Sequence, residues 1–271
     1  MLSLAFKEKT MRKLKTIIIV LASILILVGC SKSEDLSPMG TGDKNSPSGK
    51  GGSTARITIK GDYLYAVDNS SLKVVEIINP DKPKYIKTID LGFGIETIYP
   101  FKDYLFIGSN SGMFVYGLSD PANPNKLSEF NHATACDPVI ANDSLAFITL
   151  RSTEICNRWD NTKEINVVNI ENITSPNLIM IYHTQYAPYG LDMNDSILFV
   201  CHGKDGLITY NIDKLKKNLT AEISSIKGIN AYDAILWQNK LFVIGESGFY
   251  QYDYSDINNI KLISSIVRGS F

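Results

Sequence analysis

One short phrase recurs five times in this chain, and that recurrence limits the possible folds more than any other feature. Its clearest copy runs from Asp103 to Phe130. It holds two apolar segments, Tyr104–Ile107 and Met113–Leu118, a loop with Asp120-Pro121 and Asn123-Pro124, and a further segment, Lys126–Phe130. The second segment of each copy starts at Ser71, Gly112, Glu164, Gly206 and Gly248, so the successive spacings are 41, 52, 42 and 42 residues. A unit of this length built of short β-type segments cannot cover both of its own faces, and units of this kind stack around an axis.

An extra apolar stretch precedes each copy: Arg56–Ile59, Glu96–Pro100, Pro138–Ala141, Gly190–Met193 and Tyr232–Leu236. Each unit therefore supplies four strands, from inner A through B and C to outer D. The polar pairs between A and B (Gly61-Asp62, Lys102-Asp103, Asn142-Asp143, Asn194-Asp195 and Gln238-Asn239) suit tight hairpin turns. Helical periodicity is missing throughout. The reading is an all-β, five-bladed β-propeller of four-stranded antiparallel blades, at about 54–90, 91–130, 131–181, 182–226 and 227–271. Five blades make a small ring. Closure is expected from blade five packing on blade one, or from a partner.

The propeller pattern spans 54–271, and the residues before it read differently. Lys7, Lys9, Arg12, Lys13 and Lys15 precede an apolar run, Ile17–Val28, broken by Ser23. A helix of that length covers about 18 Å, short of a hydrocarbon core of about 30 Å. The pattern is that of a secretory signal starting at Met11. It ends in Leu27-Val28-Gly29-Cys30, which resembles the lipobox of bacterial lipoproteins and implies cleavage after residue 29 and lipidation of Cys30. Ser31 after the cysteine resembles outer-membrane sorting, and Glu34-Asp35 resembles part of a Bacteroidetes surface-export tag. Residues 30–53 are rich in Ser, Gly, Lys, Asp and Pro, a composition that forms a flexible tether. An outer-membrane lipoprotein exposed at the cell surface is the expected location.

The third strands, above all Ser71-Leu72-Lys73-Val74-Val75-Glu76-Ile77 and Glu164-Ile165-Asn166-Val167-Val168-Asn169-Ile170, resemble the LVIVD-repeat family. So do the loops with Pro80/Pro83 and Pro121/Pro124; copy three keeps Pro176, and the loops at Lys214–Asn218 and Asp256–Asn259 lack proline. The resemblance covers about residues 55 to 266 and implies a β-propeller of secreted or surface proteins, often Bacteroidetes lipoproteins. Similar cysteines recur in that family at the C-D-P-V segment and the following insertion. Cys136 and Cys156 fall in loops of one blade on one face, and in an oxidising compartment they are expected to form a disulfide. In the chain-entropy model it contributes about 3 kcal/mol. Cys201, at the end of a B strand, is expected to be a buried free thiol.

Propeller topology sends the D-to-A and B-to-C connections to one face, and in this chain those are the variable loops. Candidate ligand-face residues are Asp137, Arg151, Arg158, Trp159, Tyr186, Tyr189, His202, Lys204 and Asp233. Phe93, His132, Asn230, Glu246 and the insertion Ser152–Thr162, with Glu154 and Asp160, share that face. Aromatics, Arg, amides and acids together suit a glycan or protein contact better than hydrolysis. No nucleophile elbow, phosphate loop, zinc-ligand pair or calcium loop occurs, so no catalytic residue, cofactor or dedicated metal site is assigned. A cation at the channel mouth, held by Glu96, Asp137, Asp192 and Asp233, is a further expectation. With 27 basic and 28 acidic residues and a pI near 6.3, nucleic-acid binding is not expected. The function expected is a binding or scaffold module at the cell envelope, the alternative being a carbohydrate- or lactone-active enzyme. Asp143-Ser144-Leu145 and Asp195-Ser196-Ile197 resemble a Bacteroidetes O-glycosylation sequon, but they also fit turn positions.

Overall fold

The computed structural model describes residues 51–132, 138–152 and 161–269. The signal segment, Cys30 and most of the tether lie outside the described residues, as do Cys136, Asp137, Glu154, Cys156, Arg158, Trp159 and Asp160. Among the described residues, twenty strands form five separate four-stranded antiparallel sheets in chain order. Blade one holds β1 (Ile57–Lys60), β2 (Tyr63–Val67), β3 (Ser71–Glu76) and β4 (Lys84–Asp90). Blade two holds β5 (Ile95–Phe101), β6 (Tyr104–Ser109), β7 (Gly112–Gly117) and β8 (Asn125–Asn131). Blade three holds β9 (Val139–Ala141), β10 (Leu145–Arg151), β11 (Lys163–Asn169) and β12 (Asn177–His183). Blade four holds β13 (Leu191–Met193), β14 (Ile197–Cys201), β15 (Leu207–Asn211) and β16 (Glu222–Ile226). Blade five holds β17 (Ala231–Trp237), β18 (Lys240–Gly245), β19 (Gly248–Asp253) and β20 (Lys261–Val267). The protein is a five-bladed β-propeller.

Alternation along each second strand sends one side chain to the following blade and the next to the preceding one. Tyr65, Phe106, Phe147 and Phe199 occupy one register position on the trailing face and are fully buried. Their neighbours Leu105, Ala146, Leu198 and Leu241 occupy the leading face and meet the blade before, each almost fully buried. Each blade-to-blade seam thus joins aromatic trailing positions to aliphatic leading ones. Four apolar clusters fill the four seams from blade one to blade five.

The turns show which polar residues matter. Gly61-Asp62, Lys102-Asp103 and Gln238-Asn239 do make two-residue hairpins, with positive φ at Gly61, Lys102, Gln238 and Asn239. In blades three and four the connection is longer: Ala141 pairs with Ala146 and Met193 with Leu198. There Asn142 Oδ1 accepts from Ser144 N at 3.0 Å and Leu145 N at 2.8 Å, and Asn194 Oδ1 accepts from Ser196 N at 3.1 Å and Ile197 N at 2.9 Å. An asparagine carboxamide reaching forward in this way replaces a backbone turn. The C-to-D loops also start on Asx turns, at Asn79, Asp120, Asn172 and Asp256. Blade five therefore keeps the turn although it lost the prolines. Blade four instead forms a helical turn, Ile212–Lys216, capped by Asn211. Every C–D ladder carries a register shift at the same place, from Val74/Val75 to Gln251/Tyr252.

Among the described residues no apolar cluster joins blade five to blade one. Ile244, Phe249 and Ile266 are 54%, 40% and 56% exposed on the trailing face of blade five, and Ile57 is 58% exposed on the leading face of blade one. The lead-in reaches across the ends: Ser53 and Thr54 bond to Asp233 of β17, and Ser53 Oγ accepts from Leu191 N at 2.8 Å.

Candidate functional site

The loop face over blades three to five is assembled from the end of β10, the β12–β13 and β14–β15 connections, the start of β17 and the β18–β19 turn. Tyr189 is its centre. The Tyr189 N–H donates to Cys201 O at 2.7 Å, and its carbonyl accepts from Thr149 Oγ1 at 2.7 Å, so the backbone is held from both sides. The Arg151 guanidinium lies 4.3 Å from the Tyr189 ring centre, and Arg151 Nη1 donates to Pro188 O at 3.4 Å. On the other side, Tyr232 packs on Tyr189 with ring centres 6.0 Å apart. Asn230 Nδ2 donates to Glu246 Oε2 at 2.6 Å and to the Tyr232 hydroxyl at 3.3 Å. The result is a cation–aromatic–aromatic row bordered by an amide and a carboxylate, with Tyr232 38% exposed.

Beneath this row the polar groups are committed to the fold. His202 is 1% exposed; its Nδ1 lies 3.1 Å from Tyr186 O and its Nε2 2.9 Å from the Tyr210 hydroxyl. The neutral tautomer with the proton on Nδ1 satisfies both contacts: it donates to the carbonyl and accepts from the phenol. Burial pushes the imidazole down to about 4. Tyr186 stands edge-on to the same ring, at 6.3 Å. Asp233 is buried, and its carboxylate accepts from Ser53 Oγ, Thr54 N and Oγ1, and Ala234 N. Desolvation raises its proton affinity, and those hydrogen bonds oppose the rise. Gly190 lies against this carboxylate, so a side chain there would collide with Asp233 and with Tyr232 O.

Of the expected ligand-face residues, the fold therefore brings Arg151 and Tyr189 together, packs Tyr186 against His202, leaves Lys204 exposed at the rim and places His202 and Asp233 below the surface. Asp137, Arg158 and Trp159 lie outside the described residues. Two of the carboxylates expected at a channel-mouth cation, Asp192 and Asp233, accept hydrogen bonds within the fold. Asp192 is buried and accepts from Leu236 N at 2.6 Å and Met193 N at 2.8 Å, tying blade four to blade five. The lead-in lies against Asp233, and among the described residues no three Asp, Glu, His or Cys side chains form a metal-holding group. Tyr99, on the inner strand of blade two, is pushed up first by burial and then by the Asp192 charge. Cys201 is a buried free thiol, as expected.

Tyr232 is the site residue that sequence reasoning missed. It reads as the first inner-strand position, but the β17–β18 register shifts between Ala231 and Asp233, so Tyr232 is the bulged residue and turns outward. Glu96 occupies the same kind of shift in β5. A polar cleft of about 430 Å³ also opens at the start of β11, where Glu164 Oε2 lies 3.6 Å from His183 Nδ1.

Comparison with known proteins places the repeat and the fold. Residues 51–90 match the model of the LVIVD repeat, so blade one is such a repeat. Among solved structures, the chain resembles the computationally designed Ika8 protein (12% identity, TM-score 0.55, covering 78% of this chain and 60% of that one). It also resembles the periplasmic gluconolactonase PpgL of Pseudomonas aeruginosa (13%, 0.59, 78% and 68%). A functionally unknown protein of Desulfotomaculum acetoxidans DSM 771 aligns similarly (14%, 0.59, 79% and 71%). At these identities the likeness is one of fold alone. No curated protein sequence matches the chain.

Proposed function

We propose that this LVIVD-repeat propeller is a binding module, tethered to the outer membrane through lipid on Cys30, whose loop face holds a cell-envelope glycan. The observation that carries the reading is the Arg151–Tyr189–Tyr232 row with Asn230 and Glu246 beside it. Tyrosine faces accept the C–H face of a sugar ring, and an adjacent amide and carboxylate bond its hydroxyls. The backbone contacts that hold Tyr189 preorganise the platform, which lowers the entropy cost of binding. Catalysis is disfavoured because the buried carboxylates Asp192 and Asp233 already accept from main-chain and hydroxyl donors.

The test is a glycan array with the detergent-solubilised chain, followed by calorimetry on any hit. Tyr232→Ala is expected to weaken binding tenfold or more, equivalent to about 1.4 kcal/mol. Binding that both Tyr232→Ala and Arg151→Ala leave unchanged would remove the site. A protein ligand captured in place of a glycan would replace the ligand class and keep the face. Turnover of gluconolactone would favour the enzymatic alternative.

A further inference from the structure

The two end faces of the blade series present the strand positions that pack together in the four seams. At the register position of Leu72, Met113, Ile165 and Leu207, all fully buried by the following blade, blade five has Phe249 at 40% exposure. Phe249 stacks on Phe242, ring centres 5.7 Å apart, and Phe242 stands at the position of the buried Phe199. Between Ile244, Phe249 and Ile266 lies a shallow apolar cleft of about 320 Å³, on the face that the next blade covers elsewhere.

Blade one shows the complementary vacancy. Ile57 pairs with Ala66 as Ile98 pairs with Ile107, and the second pair is buried against blade one. Ile57 is exposed, while Leu64, Ala66 and Val75 are only half-buried. Lys73, which shares this leading face, is already paired with Asp68 at 2.8 Å.

We propose that copies of this chain associate head to tail, with the trailing face of blade five in one molecule covering the leading face of blade one in the next. A second copy is the occupant because the exposed trailing face has the register of one that, in this fold, is covered by a leading face. Among the described residues of one molecule, no apolar cluster joins the two unmatched faces. The polar pair on the trailing face does not oppose this. Gln251 and Ser264 bond at 3.1 Å where Thr209 and Ser224 bond at 2.9 Å, and blade five covers the latter pair. Such a contact is heterologous, so it closes into a ring of copies or extends as a chain.

The register supplies a direct test with the full-length chain in detergent. Ile244 corresponds to Cys201 and Ile57 to Ala234, and Cys201 and Ala234 share one buried cluster. Protein carrying Ile57→Cys is mixed with protein carrying Ile244→Cys and mildly oxidised, with the unsubstituted chain as control. The expected product is a disulfide-linked species of twice the single-chain mass, formed only in the mixture and abolished by adding Phe249→Glu. Light scattering on protein without added cysteines should show a multiple of the single-chain mass, reduced to one chain by Phe249→Glu or Ile266→Glu. A single-chain mass before substitution, or a double variant that cross-links only within itself, overturns the proposal. Loss of self-association with glycan binding intact would separate it from the function proposed above.

Discussion

His202 shows how much one residue under the loop face contributes. An unfolded imidazole takes up a proton near pH 6.5, whereas the folded one resists until about pH 4. The folded state therefore binds fewer protons in that window. The stabilisation from keeping His202 neutral is complete above pH 6.5 and is lost as the pH falls toward 4. The two values imply a loss of about 3 kcal/mol. Urea denaturation at pH 7 and pH 4 should show it, and His202→Gln, which keeps a donor and an acceptor, should flatten the dependence. Asp233 has the opposite sign: its folded proton affinity is raised, so its share is full below the ordinary value of 3.8 and declines as pH rises through the folded value. Replacing Asp233 with Ala strands Ser53, Thr54 and Ala234 donors and should cost about 3 kcal/mol, checked by thermal or urea unfolding. Neither role was legible beforehand. A histidine and an aspartate in variable loops look like ligand groups until the depth of the loop is known.

At the scale of the strand, the same side chain has different worth in different blades. Phe147 is fully buried between blades three and four, while Phe242, at the equivalent position of blade five, is only half-buried. Phe147→Ala should cost about 3–5 kcal/mol, and Phe242→Ala about 1 kcal/mol, in equilibrium unfolding of protein held as single chains by Ile266→Glu. Equal losses would mean that blade five is covered within one molecule. Strand alternation, hairpin positions and blade period were readable from residues because they depend on local patterning. The four-residue turns at Asn142 and Asn194 were not, because Asn-Asp suits either a two-residue hairpin or an Asx turn, and the strand register decides.

For the molecule as a whole, stability follows nearest neighbours, since each apolar cluster joins two successive blades. The outer strand β20 is exposed along its whole length. In single-chain protein, hydrogen exchange should accordingly be faster in β19 and β20 than in β10 and β11, whose ladder is packed on both sides. Uniform protection across the blades would show that the ring closes and unfolds as one unit. At the cell, Cys30→Ala should abolish acyl labelling and release the chain from the membrane fraction, read by fractionation.

The amino-acid sequence alone determined the blade number, the order of strands and which loops share a face, because these follow from a repeated alternation that each unit carries within itself. It also placed Tyr189 and Arg151 on that face. Tertiary structure alone decided that Tyr232 turns outward on a bulge, that His202 and Asp233 sink below the surface, and that Ile57 and Phe249 are exposed on the end faces. Those outcomes depend on how far one blade is rotated from the next and on which backbone donors arrive at a carboxylate. No single repeat contains that information.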